Sequence, residues 1–117
     1  MHENKKNTNQ TISQKDINLI LNLFNSKKFI EAKKIINQKI TKYPNSSILL
    51  NILGAIYVEQ QEIEKAIDYY KKAIKIDPSY AQAYNNLGIA FHKLNKIDES
   101  IKSYKKAINF KNNFAEA

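Results

Sequence analysis

The chain's two glycines, Gly54 and Gly88, and its two prolines, Pro44 and Pro78, form two pairs, each 34 residues apart. Glycine and proline interrupt regular backbone more strongly than any other residues. All of the strongest punctuation in these 117 residues therefore recurs at one interval. A unit of that length cannot bury its hydrophobic face alone, so neighbouring units must stack and share a continuous core. The period predicts an all-α chain of helix–turn–helix hairpins, and a task of holding a partner rather than transforming it.

Three units set the register, at 13–46, 47–80 and 81–114. The second and third agree at ten of 34 positions, among them Leu53/Leu87, Gly54/Gly88, Ile67/Ile101, Tyr70/Tyr104 and Ala73/Ala107. The first is more diverged and keeps Leu19, Ala32, Ile40 and Pro44 at the shared places. In the third unit, Tyr84, Leu87, Gly88 and Phe91 fall at i, i+3, i+4 and i+7, one helical stripe. This first helix is expected over roughly 81–94. A second is expected over 97–110, with Ile97, Ile101, Tyr104 and Ile108 on one face. Asn95, between them, tolerates left-handed backbone geometry. Asp77-Pro78 ends the preceding helix, and Ser79 is a natural cap for the next. A mid-helix glycine costs about 1 kcal/mol relative to alanine. Gly54 and Gly88 therefore imply a close crossing of the paired helices, with Ala66 and Ser100 as the matching small residues.

These residues resemble the tetratricopeptide repeat: a large apolar residue, Leu-Gly, an aromatic, Ala, an aromatic, Ala and a closing Pro. The second unit supplies Leu50, Leu53-Gly54, Tyr57, Ala66, Tyr70, Ala73 and Pro78. The third supplies Tyr84, Leu87-Gly88, Phe91, Ser100, Tyr104 and Ala107, with Asn112 in place of Pro. The first supplies Leu19, Leu23, Ala32, Ile36 and Pro44, but departs at Asp16 (for the large apolar residue), Ile20 (for Gly) and Lys39 (for Ala). The resemblance implies a right-handed α-solenoid of three antiparallel hairpins whose first helices line a concave face.

On that face the resemblance places a peptide-binding groove. Its expected residues are Ile17, Asn18 and Leu21 from the first unit and Ile48, Asn51, Ile52 and Ala55 from the second. The third contributes Gln82, Asn85, Asn86, Ile89 and His92. Gln14, Phe24 and Val58 fall on the same positional series. Apolar positions would receive side chains, and asparagines would pair with a peptide backbone through donor and acceptor. Asn86 stands where long arrays of this family, such as those preceding glycosyltransferase domains, carry a backbone-gripping asparagine. The plainer reading is that Ile17, Leu21, Ile48 and Ile52 pack between neighbouring repeats. A carboxylate clamp of the kind that holds chaperone C-termini is not expected. Its cationic places hold Ile17, Gln82 and Asn86, and its asparagine places hold Leu21 and Ile52.

Residues 1–12 read as a disordered polar leader without a secretory core. Residues 115–117 read as the start of a truncated fourth unit, since Phe114-Ala115-Glu116-Ala117 aligns with Tyr80-Ala81-Gln82-Ala83. Without a polar capping helix, Ile101, Tyr104 and Ile108 would be left open. Two expectations stand side by side: the chain is the N-terminal part of a longer protein, or it covers that end by self-association. The net charge of +8 comes from 19 lysines and no arginine against 11 acids. Acids precede lysines along the second helices, which favours the helix dipole and marks a solvated outer face. Nucleic acid is not expected as a partner. The tyrosines fall at core positions, and arginine, the best bidentate reader of bases and phosphates, is missing. Zero cysteines fit a reducing, cytoplasmic setting. His2 and His92 have no ligand-spaced companions, and no phosphate loop or nucleophile motif occurs. No catalysis, cofactor or metal is expected. The function expected is a protein–protein interaction scaffold. The alternatives are the recognition segment of a larger glycosyltransferase- or sulfotransferase-type enzyme, or a self-associating structural module.

Overall fold

The computed structural model describes residues 11–116, with side chains to 112, and among them every regular element is an α-helix. The helices form two units, divided between Ser46 and Ser47. In the first lie α1 (Gln14–Asn25) and α2 (Phe29–Lys42); in the second lie α3 (Ser47–Glu59), α4 (Ile63–Ile76), α5 (Ala81–Lys93) and α6 (Ile97–Glu116). The expected leader lies outside the described residues except for Thr11 and Ile12, and Ile12 is buried.

In the first unit α1 starts where Ser13 accepts the Asp16 N–H at 3.1 Å, satisfying an orphan donor of the first turn. Ile17, Ile20, Ala32 and Ile36 are buried. The three departures of this unit resolve into pairs. Asp16 and Lys39 both replace apolar residues, and they face each other in a 3.1 Å ion pair. Ile20 and Ile36, each fully buried, take the register positions that Gly54 and Tyr70 hold in the second unit. Leu19 keeps the family residue yet is 47% exposed.

In the second unit the glycines have a different physical reason from the one expected. A Cβ at Gly54 would stand 2.5 Å from Cε1 of Tyr70, and one at Gly88 would stand 2.7 Å from Cε1 of Tyr104. The glycines make room for an aromatic ring on the partner helix. Ser100 adds a bond of its own, its hydroxyl donating to the Gly88 carbonyl at 2.8 Å. Between α4 and α5 a cluster of Ala66, Ile67, Tyr70, Leu87, Ala90 and Phe91 closes the seam.

The turns inside the three hairpins share one geometry. Lys27, Gln61 and Asn95 all have φ between 62° and 65°. Each lies at the C-terminal end of a first helix, and the residue after it donates back to the helix. Lys28 bonds the Leu23 carbonyl at 2.8 Å, Glu62 the Tyr57 carbonyl at 2.8 Å, and Lys96 the Phe91 carbonyl at 2.9 Å. With the adjacent bonds from Lys27, Gln61 and Asn95, this is the Schellman arrangement that satisfies orphan carbonyls. Only Asn95 announced itself by residue type.

Two expectations are corrected. Ser79 does not cap α5. Asp77 accepts both the Ser79 N–H (3.3 Å) and its hydroxyl (3.2 Å), so the N-cap falls to Tyr80, with no side-chain bond. The last helix does not end near Phe110. It runs through to Glu116, because Asn112 stands where Pro44 and Pro78 close the earlier units.

Candidate functional site

The candidate surface is built on α5. Gln82, Asn85, Asn86, Ile89 and His92 recur at helical spacing along one stripe. Gln82, Asn85, Ile89 and His92 are exposed and Asn86 is half-buried. Alongside, α3 contributes Ile48, 38% exposed, and the half-buried Ala55.

A polar chain joins the two helices. The Asn86 amide donates to Oδ1 of Asn51 at 3.0 Å, and the Asn51 amide donates to the Tyr80 hydroxyl at 3.4 Å. Asn51 is only 4% exposed, so these bonds answer its need for partners in a buried place. Burial pushes the Tyr80 phenol above its ordinary pKa, and the bond from Asn51 opposes that shift. Tyr80 did not stand out in the sequence. It occupies the last place of a repeat, next to the proline turn, and nothing local marks it as a partner for Asn51.

Three expected groove residues present almost no surface: Asn51 is buried by its own polar bonds, and Ile17 and Ile52 are buried as apolar side chains. Val58 packs against the seam cluster between α4 and α5. In the first unit Asn18 is exposed and accepts a 2.9 Å bond from Gln14, while Leu21 is 37% exposed and Phe24 stacks edge-on against Phe29 at 5.5 Å.

At one end of α5 a cavity of about 770 Å³ opens between the Asp77–Tyr80 turn and residues 107–111 of α6, with Gln82 and Asn85 on its wall. Tyr84 stacks on Phe110 at 5.4 Å, and its hydroxyl donates to the Pro78 carbonyl at 3.1 Å, fixing that wall. His92 is exposed in the last turn of α5.

The lysines and tyrosines are more interleaved than their sequence positions suggested. Tyr57 and Tyr69 stack at 5.3 Å, with Lys65 and Lys72 over their rings at 5.2 and 5.0 Å. Lys71 lies 5.8 Å over the Phe91 ring and Lys106 5.9 Å over that of Tyr84. These cations are already engaged with the protein's own aromatic faces. No helix among the described residues is long and apolar enough to cross a membrane.

Comparison with known proteins gives a consistent result. Residues 54–95 match the family profile described as TPR repeat, and residues 81–114 match that described as tetratricopeptide repeat. The UDP-N-acetylglucosamine–peptide N-acetylglucosaminyltransferase of Caenorhabditis elegans is 35% identical over 63 residues, which is 54% of this chain and 6% of that protein. The CTR9 homolog of Arabidopsis thaliana is 43% identical over 42 residues, 36% of this chain and 4% of the relative. The chain thus spans a small part of the curated relatives it matches. Among solved structures, the crystal structure of MamA superposes with a TM-score of 0.77 at 27% identity, over 85% of this chain and 58% of that one. The second TPR of Spaghetti (RPAP3), bound to the HSP90 peptide SRMEEVD, superposes at 0.76 with 20% identity, over 93% of this chain and 96% of that one.

Proposed function

Since the chain belongs to the tetratricopeptide repeat family, an all-α solenoid class that serves as a scaffold for protein–protein interaction, we propose that it grips a peptide segment of a protein partner without doing chemistry on it. The contact surface is the exposed stripe of α5, Gln82, Asn85, Asn86, Ile89 and His92, with Ile48 and Ala55 of α3 beside it. The observation that supports this most is the bond from Asn86 to Asn51. It orients the Asn86 amide from a buried anchor and leaves its carbonyl oxygen and second N–H for a peptide backbone. Ile89, 38% exposed next to Asn85 and Asn86, supplies an apolar contact between polar ones. The absence of cysteine supports a cytoplasmic setting.

The stripe is neutral. The peptide seen on the RPAP3 repeat, SRMEEVD, is acidic. Gln82 and Asn86 offer no cation to its carboxylates, so this chain takes an uncharged or mixed segment. Selection from a random displayed-peptide library tests the reading. Selected peptides should lose binding with Ile89→Lys or Asn86→Ala and keep it with Lys102→Ala on α6. SRMEEVD should show no saturable binding at physiological ionic strength. Peptides that bind equally well to all three variants would sink the proposal.

A second reading, that these repeats are the recognition segment of a larger enzyme, is supported by the match to the Caenorhabditis elegans glycosyltransferase. Its test is the mass of the endogenous protein on an immunoblot. A band near 13.6 kDa would rule it out.

A further inference from the structure

Tyr57 of α3 and Tyr69 of α4 lie ring against ring, with centroids 5.3 Å apart and planes 9° from parallel. Both residues are half-buried. The repeat pattern asks for a large side chain at Tyr57, and Leu23 and Phe91 stand at its place in the other units. It asks for nothing at Tyr69, where the other units carry Ile35 and Ser103. The second unit thus sets one phenol against another where its neighbours do not. Lys65 lies 5.2 Å over the Tyr57 ring and Lys72 5.0 Å over that of Tyr69, so both rings are partly screened from other molecules.

We propose that Tyr57 and Tyr69 form a modification site: a one-electron oxidant, such as a haem peroxidase with hydrogen peroxide, joins them as a dityrosine that ties α3 to α4. The peroxidase takes one electron and one phenolic proton from each tyrosine and reduces one hydrogen peroxide to two waters. The two radicals pair their electrons in a new bond between the Cε carbon of one ring and the Cε carbon of the other. Each of those carbons then gives up its hydrogen as a proton, and each phenolic oxygen regains one. The rings must swing from stacked to edge-on for that bond to form, and half-buried side chains have the room to do so.

Composition directs oxidation to this pair. Cysteine thiols and tryptophan rings drain tyrosyl radicals, and the chain has neither; its single methionine is Met1. The remaining phenols are worse placed. Tyr70 is only 2% exposed, Tyr84 stacks on Phe110, which has no phenolic hydrogen to lose, and the Tyr80 hydroxyl accepts the Asn51 amide. Tyr57 and Tyr69 stand twelve residues apart, so the bond closes the hairpin turn into a loop and restricts the unfolded chain.

Treatment of the dilute 117-residue chain with a haem peroxidase and hydrogen peroxide tests this. A product should form that stays near 13.6 kDa, gains dityrosine fluorescence and loses the mass of two hydrogen atoms. Proteolysis should return one joined pair of peptides, carrying Tyr57 and Tyr69, and the joined chain should unfold at a higher urea concentration. Tyr69→Phe keeps a ring in the stack and should stay folded by circular dichroism, yet abolish the product. Tyr84→Phe should leave its yield unchanged. Oxidation in urea should lose the selectivity and bring in other tyrosines and other chains. A bond between any other two tyrosines, its survival in Tyr69→Phe, the same selectivity in urea, or coupling only between separate chains would overturn the proposal.

Discussion

A methyl group built onto Gly54 would lie 2.5 Å from the ring of Tyr70, a residue only 2% exposed. At Gly88 the corresponding residue, Tyr104, is only half-buried. Alanine normally gains about 1 kcal/mol over glycine inside a helix. Here overpacking reverses the sign. Gly54→Ala should cost about 1–3 kcal/mol in urea unfolding, and Gly88→Ala clearly less. The first unit shows the relieved combination, Ile20 with Ile36. Gly54→Ile together with Tyr70→Ile should therefore cost less than the two single changes added together. The left-handed turn residues point the other way. Gln61 holds φ at 65° with a side chain that disfavours it, so Gln61→Gly should stabilise by about 0.5–1 kcal/mol in the same experiment.

At the scale of the helix, the Asp16–Lys39 pair ties α1 to α2. Lys39 lowers the Asp16 carboxyl below its ordinary pKa of 3.8, first through their hydrogen bond. A depressed folded-state pKa gives stability that is present above the ordinary value and lost as pH falls through the folded one. The loss on acidification from about pH 4 to pH 2 should thus be smaller in Lys39→Gln, read by thermal unfolding at each pH. Restoring the family pattern with Asp16→Leu and Lys39→Ala should remove the same pH response without weakening α1. These pairs also show where the sequence was legible. Period, hairpins and helix faces followed from Gly, Pro and apolar spacing, which act locally. The first unit looks degenerate residue by residue, whereas Asp16 answers Lys39 and Ile20 fills the volume that Ile36 leaves where the second unit has a tyrosine. The αL turns at Lys27 and Gln61 were hidden because backbone bonds, not residue type, hold them. On the site, the α5 stripe was readable from helical spacing. The burial of Ile17, Asn51 and Ile52 was not, because burial depends on which helix packs alongside.

For the molecule as a whole, tyrosine sets an alkaline limit. Burial raises the phenols of Tyr57, Tyr70, Tyr80 and Tyr84 above their ordinary pKa of 10.0. A raised folded-state value means stability is complete below pH 10 and is lost above it, as the unfolded chain ionises first. Unfolding midpoints should fall above about pH 10, and less steeply in Tyr70→Phe. Charge is uneven along the same chain: residues 1–46 carry nine lysines against three acids, and residues 47–80 four against five. Added salt should therefore relieve self-repulsion mainly in the first unit. The amide relay from Asn86 through Asn51 to Tyr80 gives the chain an optical gauge of its own anchoring. There is no tryptophan to mask tyrosinate absorbance. Asn86→Ala removes the bond that steadies Asn51, and loosens with it the bond that holds the Tyr80 phenol down against burial. That variant should release the phenolic proton at a higher pH than the parent chain, whereas a peptide that bonds the free oxygen and second N–H of Asn86 should leave the titration in place, so the anchor is read apart from the ligand without a label.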